Sequence, residues 1–126
     1  MAQHKILLVE DDEALAQMYT MRLTAEDFDV KHVGNGEDAL SAAVEYHPDL
    51  ILLDAMMPKI SGFDVLDILR NTPETANSRI IMLTALSQAK DKERAESLGV
   101  DDYLVKSQVV IADVIERIKY HLGINK

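Results

Sequence analysis

The chain has 126 residues, 48% hydrophobic and 28% charged, with 22 acidic residues against 13 basic ones and a formal net charge of -9. That length makes one globular domain, able to bury about two thirds of its unfolded surface. The acidic balance argues against a general nucleic-acid binder, which needs a basic face. The lack of cysteine excludes disulfides and thiolate metal sites and fits a reducing compartment. No apolar run approaches the ~20 residues of a membrane span, and no signal peptide precedes the first strand.

Ile6-Leu7-Leu8-Val9 reads as a buried strand that runs into Glu10, Asp11, Asp12 and Glu13. Leu15, Met18, Tyr19 and Leu23 then recur at helical spacing, so Asp12 caps a first helix whose opening turn is acidic. Residues 28–33 alternate only partly, as an edge strand does, and Gly34-Asn35-Gly36 turns into a second helix marked by Ala39, Leu40, Ala43 and Val44. Pro48 closes it, and Leu50-Ile51-Leu52-Leu53 forms the third strand, ending at Asp54. A third helix runs from about Gly62 to Asn71 with Val65, Leu66 and Leu69 inward, followed by a polar loop to Ser78. Ile80 to Leu83 is a fourth apolar strand ending at Thr84. A polar helix from Gln88 to Leu98 turns inward only Ala95 and Leu98, and Gly99 stops it. Tyr103-Leu104-Val105 is the fifth strand, ending at Lys106. The last helix places Ile111, Ile115, Ile118 and Leu122 on one stripe and stops at Gly123.

Apolar strands alternating with helices predict an α/β fold: a five-stranded parallel sheet with helices on both faces in three layers. Right-handed crossovers and this size favour the flavodoxin-like strand order 2-1-3-4-5. The expectation is one domain over residues 1–126, without linker or repeat. In that order, Glu10, Asp11, Asp54, Thr84 and Lys106 all stand at the carboxyl ends of the strands and face one crevice. A carboxylate buried at a strand end is costly unless a metal, hydrogen bonds or chemistry compensates it. An isolated Asp54 would merely open the following turn, with Pro58 and Gly62 as further turn residues. Its company points elsewhere.

Three crowded carboxylates repel and call for a cation, and oxygen donors alone suit Mg²⁺. Asp54 is then the candidate nucleophile, beside a metal held between Asp11, Asp54 and a backbone carbonyl near Met56, with Glu10 reaching it directly or through water. Lys106 and Thr84 suit the oxygens of a transferred phosphoryl group. No histidine falls in the cluster, but phosphoryl transfer needs positioning and charge neutralisation more than a general base.

Val-Glu-Asp-Asp (9–12), Leu-Leu-Asp-Ala-Met-Met-Pro (52–58) with Gly62, Leu-Thr-Ala (83–85) and Gly-Val-Asp-Asp-Tyr-Leu-Val-Lys (99–106) together resemble the receiver domain of bacterial two-component response regulators. The single-domain, chemotaxis-regulator-like kind is the nearest type. The resemblance covers essentially the whole chain. It implies that Asp54 accepts a phosphoryl group from the phosphohistidine of a sensor histidine kinase, or exchanges it with a phosphotransfer protein. It further implies that Asp11, Asp54 and the Met56 carbonyl hold Mg²⁺ with Glu10 as acidic neighbour, and that Lys106 and Thr84 contact the phosphoryl group. Tyr103 matches the aromatic that swings inward as Thr84 moves, although a tyrosine there also serves as core filling. That motion changes the surface of the fourth helix, fifth strand and last helix, where a downstream partner or a second copy docks. A cytoplasmic signalling domain is implied, not a turnover enzyme, with neither direct nucleic-acid contact nor membrane insertion.

Two departures from the family pattern stand out. Ser107 replaces the usual proline after the lysine, and the segment before the last helix is one residue longer. A cis bond without proline costs roughly 2.5–4 kcal/mol, so the Lys106–Ser107 peptide is expected to be trans, or strained. Met56 and Leu86, each two residues past a site residue, are apolar where the hydrolytic water would pass, which predicts a long-lived phosphoaspartate. Val109, Val110 and Val114 fit either an extended core face or a partner patch.

Three rivals share parts of the pattern. A dehalogenase-type phosphatase needs a second Asp where Met56 stands. A flavodoxin-like cofactor binder would not put Glu10 to Glu13 at its phosphate loop. A phosphorylation-independent docking receiver usually loses one of the acidic pair, the Asp or the Lys.

Overall fold

The computed structural model describes residues 3–124. Its elements are β1 (Lys5–Val9), α1 (Glu13–Ala25), β2 (Asp29–Val33), α2 (Gly36–Glu45), β3 (Leu50–Leu53), α3 (Gly62–Arg70), β4 (Arg79–Thr84), α4 (Ala89–Ser97), β5 (Asp102–Val105) and α5 (Ile111–Leu122). The strands pair in parallel in the order β2-β1-β3-β4-β5, the predicted sheet.

The side-chain period of two explains the three layers. Leu7, Val9, Ile51, Leu53, Ile80 and Met82 point to the face covered by α2, α3 and α4. Ile6, Leu8, Leu50, Leu52, Ile81 and Leu83 point to the face covered by α1 and α5. Strands β1, β3 and β4 are therefore apolar throughout because both faces are covered. At the edge, β2 is exposed or half-buried at every position.

Side-chain caps fix where three helices begin. Asp12 accepts from the Leu15 N–H at 3.1 Å, Asn35 from Asp38 at 2.8 Å and Ser61 from Asp64 at 3.2 Å. Across the opposite end of the sheet Arg70 acts as a clamp. Its guanidinium donates to the carbonyls of Gly99 (2.9 Å), Ala76 (3.1 Å) and Ser78 (2.6 Å) and to Asp101 (3.0 Å).

The segment after β5 resolves two open points. No peptide bond is cis among the described residues, so Lys106–Ser107 is trans. The extra length forms one 3-10 turn, Lys106–Gln108, ahead of α5. The three valines divide: Val114 is core, Val109 is half-buried against it, and Val110 is 65% exposed. The expected stripe of α5 holds, with Ile115 and Ile118 buried and Ile111 and Leu122 packed against the core, and Val114 widens it. Helical geometry puts positions three and four apart on one face, so Val114 and Ile118 share the side that meets the sheet.

Candidate functional site

Four strands deliver their last residues to one edge. The backbone ladder sets two of them: the Asp54 N–H donates to the Val9 carbonyl at 3.1 Å and the Glu10 N–H to the Val33 carbonyl at 3.1 Å. Glu10 and Asp54 are both buried, whereas Asp11 is exposed. One carboxylate oxygen from each of Glu10, Asp11 and Asp54 lies within 4.8 Å of the others. Behind Asp54, Gly62 lets α3 start flush against the strand end. A Cβ at Gly62 would sit 2.1 Å from the Asp54 carbonyl oxygen.

Lys106 reaches in from the 3-10 turn. Its Nζ donates to Glu10 Oε1 at 2.7 Å and to Asp54 Oδ2 at 3.0 Å. The remaining oxygens are also engaged: the Met56 N–H donates to Asp54 Oδ1 at 3.0 Å and the Asp12 N–H to Glu10 Oε2 at 3.1 Å. Burial pushes the Glu10 carboxyl above its ordinary 4.5, against the pull of Lys106 and the Asp12 N–H. For Lys106 burial acts to lower the pKa, but the hydrogen bond to Glu10 and the charge of Asp54 outweigh it and hold the ammonium above 10.5. The lysine is therefore charged at neutral pH, and three carboxylates face one ammonium. The excess negative charge, carried only by hard oxygen donors with Asp11 open to solvent, fits a small divalent cation.

Thr84 ends β4 fully buried, and its hydroxyl oxygen accepts from the Leu86 N–H at 3.3 Å. The Tyr103 hydroxyl donates to the Leu86 carbonyl at 2.8 Å, with the ring only 8% exposed. Tyr103 thus stands inward, and the backbone of Leu86 is held by Thr84 on one side and Tyr103 on the other. Asp11, Met56, Met57, Pro58, Phe63 and Leu86 are among the residues lining an open hollow beside the acidic cluster. Met56 and Leu86 therefore give its mouth apolar walls.

Sequence reasoning named every residue of this cluster but missed two features. One is the commitment of Glu10 to Lys106, 96 positions away in the chain. The other is Asp102, whose Oδ2 accepts from Arg117 Nε at 2.7 Å and lies 2.9 Å from His121 Nε2, while its Oδ1 accepts from the Tyr103 N–H at 3.0 Å. A carboxylate four residues before a lysine carried no signal of its own.

Burial works to raise the Asp102 carboxyl, but the His121 and Arg117 hydrogen bonds prevail and hold it below its ordinary 3.8. A depressed carboxylate stabilises the fold above its unfolded pKa, and that contribution is lost as pH falls through the folded value. Denaturant melts should therefore show wild type more stable than Asp102→Asn at neutral pH. The gap should close below about pH 4, the unfolded carboxylate range. A gap that persists unchanged into strong acid would contradict the assignment.

Residues 6–119 match the family described as the response regulator receiver domain. Among curated relatives, the phosphate regulon transcriptional regulatory protein PhoB of Rhizobium meliloti is 42% identical over 102 residues, which is 81% of this chain and 45% of that protein. The chain spans less than half the length of the first curated relatives it matches. Among solved structures, the BeF3-activated N-terminal receiver domain of Klebsiella pneumoniae RstA is 29% identical, with a TM-score of 0.88 over 94% of this chain and 98% of that one. The receiver domain of a sensor histidine kinase from Pseudomonas aeruginosa PAO1 has a magnesium ion coordinated in its active site cleft. It is 28% identical, with a TM-score of 0.88 over 97% of this chain and 99% of that one.

Proposed function

The chain belongs to the response regulator receiver domain family, and on that premise we propose that Asp54 accepts a phosphoryl group in a Mg²⁺-dependent reaction and that the domain is switched by it. The donor is the phosphohistidine of a sensor histidine kinase or of a phosphotransfer protein. An Asp54 carboxylate oxygen forms a bond to phosphorus, the phosphorus–nitrogen bond breaks, and the electron pair leaves with the imidazole. Lys106 exchanges its contact with Asp54 Oδ2 for a phosphoryl oxygen. Thr84 turns its hydroxyl from the Leu86 N–H toward the same group. Asp11, Asp54 and the Met56 carbonyl would hold Mg²⁺, with Glu10 alongside, and the ion when bound neutralises charge on the phosphoryl oxygens. The output passes through Tyr103 to the surface of α4, β5 and α5, where a downstream protein or a second copy docks. Residues 1–126 act as one receiver domain, a switch modified in each cycle and not a turnover enzyme.

The observation that carries this reading is the placement of one ammonium between two buried carboxylates at the strand ends, with Asp11 exposed beside them. Among the described residues no helix is long and apolar enough to cross a membrane. PhoB is a transcriptional regulatory protein, and this chain matches only part of it. The reading of no direct nucleic-acid contact is therefore proposed for these 126 residues alone.

The test is incubation with acetyl phosphate and Mg²⁺, read by intact mass. One phosphoryl adduct is expected on wild type and none on Asp54→Asn or in chelator. The adduct should decay slowly, because Met56 and Leu86 deny the hydrolytic water polar partners, and Leu86→Asn should shorten its life. No adduct on folded wild type would sink the phosphoacceptor reading, and rapid wild-type decay would sink the long lifetime alone.

A further inference from the structure

Adjacent residues of an extended strand point to opposite faces of the sheet. At the start of β5 this sends the Tyr103 ring toward α4, into the core formed with α2, α3 and α4. The Asp102 carboxylate goes the other way, to α5. Each side chain then engages a partner that anchors it. Tyr103 holds the carbonyl of Leu86, whose N–H is held by Thr84. Asp102 holds Arg117 and His121, one turn apart on α5, and with its other oxygen the backbone N–H of Tyr103 itself.

The α5 side of this cluster is ordered by packing as well as charge. The Arg117 guanidinium lies 5.0 Å from the centre of the Tyr120 ring, and that ring meets His121 edge to face at 5.1 Å. Tyr120 is 68% exposed, so the arrangement carries the strand contact out to the surface of the helix. A continuous set of bonds runs from Thr84 through Leu86, Tyr103 and Asp102 to Arg117. A carboxylate that accepts on both oxygens, from a guanidinium on one and a backbone N–H on the other, is a stiff joint, since a hydrogen bond to an ionised group contributes more than one between neutral groups.

We infer that Asp102 is a positioning residue for Tyr103: by tying the backbone of that tyrosine to Arg117 and His121, it couples the inward ring position to the seating of α5. The inference rests on the phosphoacceptor reading above and deepens it by naming how α5 is regulated. The latch favours inward Tyr103, whose hydroxyl keeps hold of the Leu86 carbonyl when Thr84 releases the Leu86 N–H to turn toward the site, so it strengthens binding of a phosphoryl mimic at Asp54. Reciprocity then requires that an occupied site tighten the latch.

The test measures binding of beryllofluoride in the presence of Mg²⁺ to the whole chain by calorimetry. Asp102→Asn and Arg117→Ala should each weaken binding by about fivefold, the low end of typical site-to-site coupling. The double variant should bind no more weakly than the worse single, because both changes break one joint. In a Tyr103→Ala background, Asp102→Asn should have no effect. Arg117 is 43% exposed, so its substitution leaves a folded protein even where Asp102→Asn does not. A purely structural role would lower the melting temperature and leave the affinity alone. Single-variant affinities that stay within about twofold of wild type, below the coupling range, overturn the latch while the phosphoacceptor reading stands. A wild type that binds no beryllofluoride overturns both.

Discussion

Lys106→Met should lower the rate of Asp54 phosphorylation by acetyl phosphate about 100- to 1,000-fold, the usual cost of removing one pre-placed donor from a developing oxyanion. The methionine keeps most of the stem's apolar volume, so the loss isolates the ammonium. In the resting structure that ammonium bridges Glu10 and Asp54 at 2.7 and 3.0 Å. Without it Asp54 still has the Met56 N–H, and Asp11 is unaffected, so the site is assembled but has no cation to follow the phosphoryl charge. Mg²⁺ binding measured by calorimetry should be retained or tightened, because a competing positive charge has left. A rate within tenfold of wild type would remove Lys106 from the chemistry.

The same variant has a pH signature. In wild type, Lys106 lowers the Glu10 carboxyl while burial and the Asp54 charge raise it. Without the lysine only the raising influences and the Asp12 N–H remain, so the Glu10 carboxyl moves further up. A raised carboxyl favours the fold while protonated and loses that contribution as pH rises through the folded value. The variant's stability deficit against wild type should therefore be largest at neutral and alkaline pH and shrink as acid protonates Glu10.

Gly62→Ala should destabilise the fold by about 3 kcal/mol, the upper part of the range for overpacking, because the obstacle is backbone and cannot rotate away. Its Cβ would lie 2.1 Å from the Asp54 carbonyl oxygen and 2.6 Å from the Ala55 Cα. Relief requires β3 and the start of α3 to separate, and the Gly62 N–H bond to the Ala55 carbonyl, now 2.9 Å, goes with it. Asp54 sits at the point that must move. Phosphorylation should fall about 100-fold even under conditions where the variant is folded, the scale expected of a misplaced reacting group. Gly34→Ala is the contrast, because its Cβ would meet nothing nearer than the Glu10 carbonyl at 3.9 Å. Urea melts of the two variants side by side decide the matter: equal, small losses would mean that the close approach at Gly62 is not limiting.

Local pattern carried much of this protein. The all-apolar runs at 6–9, 50–53 and 80–83 identified central strands, because only a strand covered on both faces is apolar at every position. The carboxylates and threonine that end those runs, and the lysine that follows the fifth strand, came from the same reading, since parallel strands bring all their carboxyl ends to one edge. The caps Asp12 and Gly123 marked helix ends by their own chemistry.

What the chain order alone left open were contacts between elements. That Glu10 takes the lysine while Asp11 faces solvent depends on how the 3-10 turn at Lys106–Gln108 aims one side chain across the strand ends. The role of Val114 depends on where α5 lands on the sheet. Asp101 and Asp102 read as an undifferentiated acidic pair, yet one meets Arg70 from α3 and the other meets Arg117 from α5. Strand geometry splits neighbours to opposite faces, but only the packed helices decide which cation waits on each side. Periodicity is a property of consecutive residues and is written in the sequence. Charge pairing between elements follows from packing, and only the folded chain decided it.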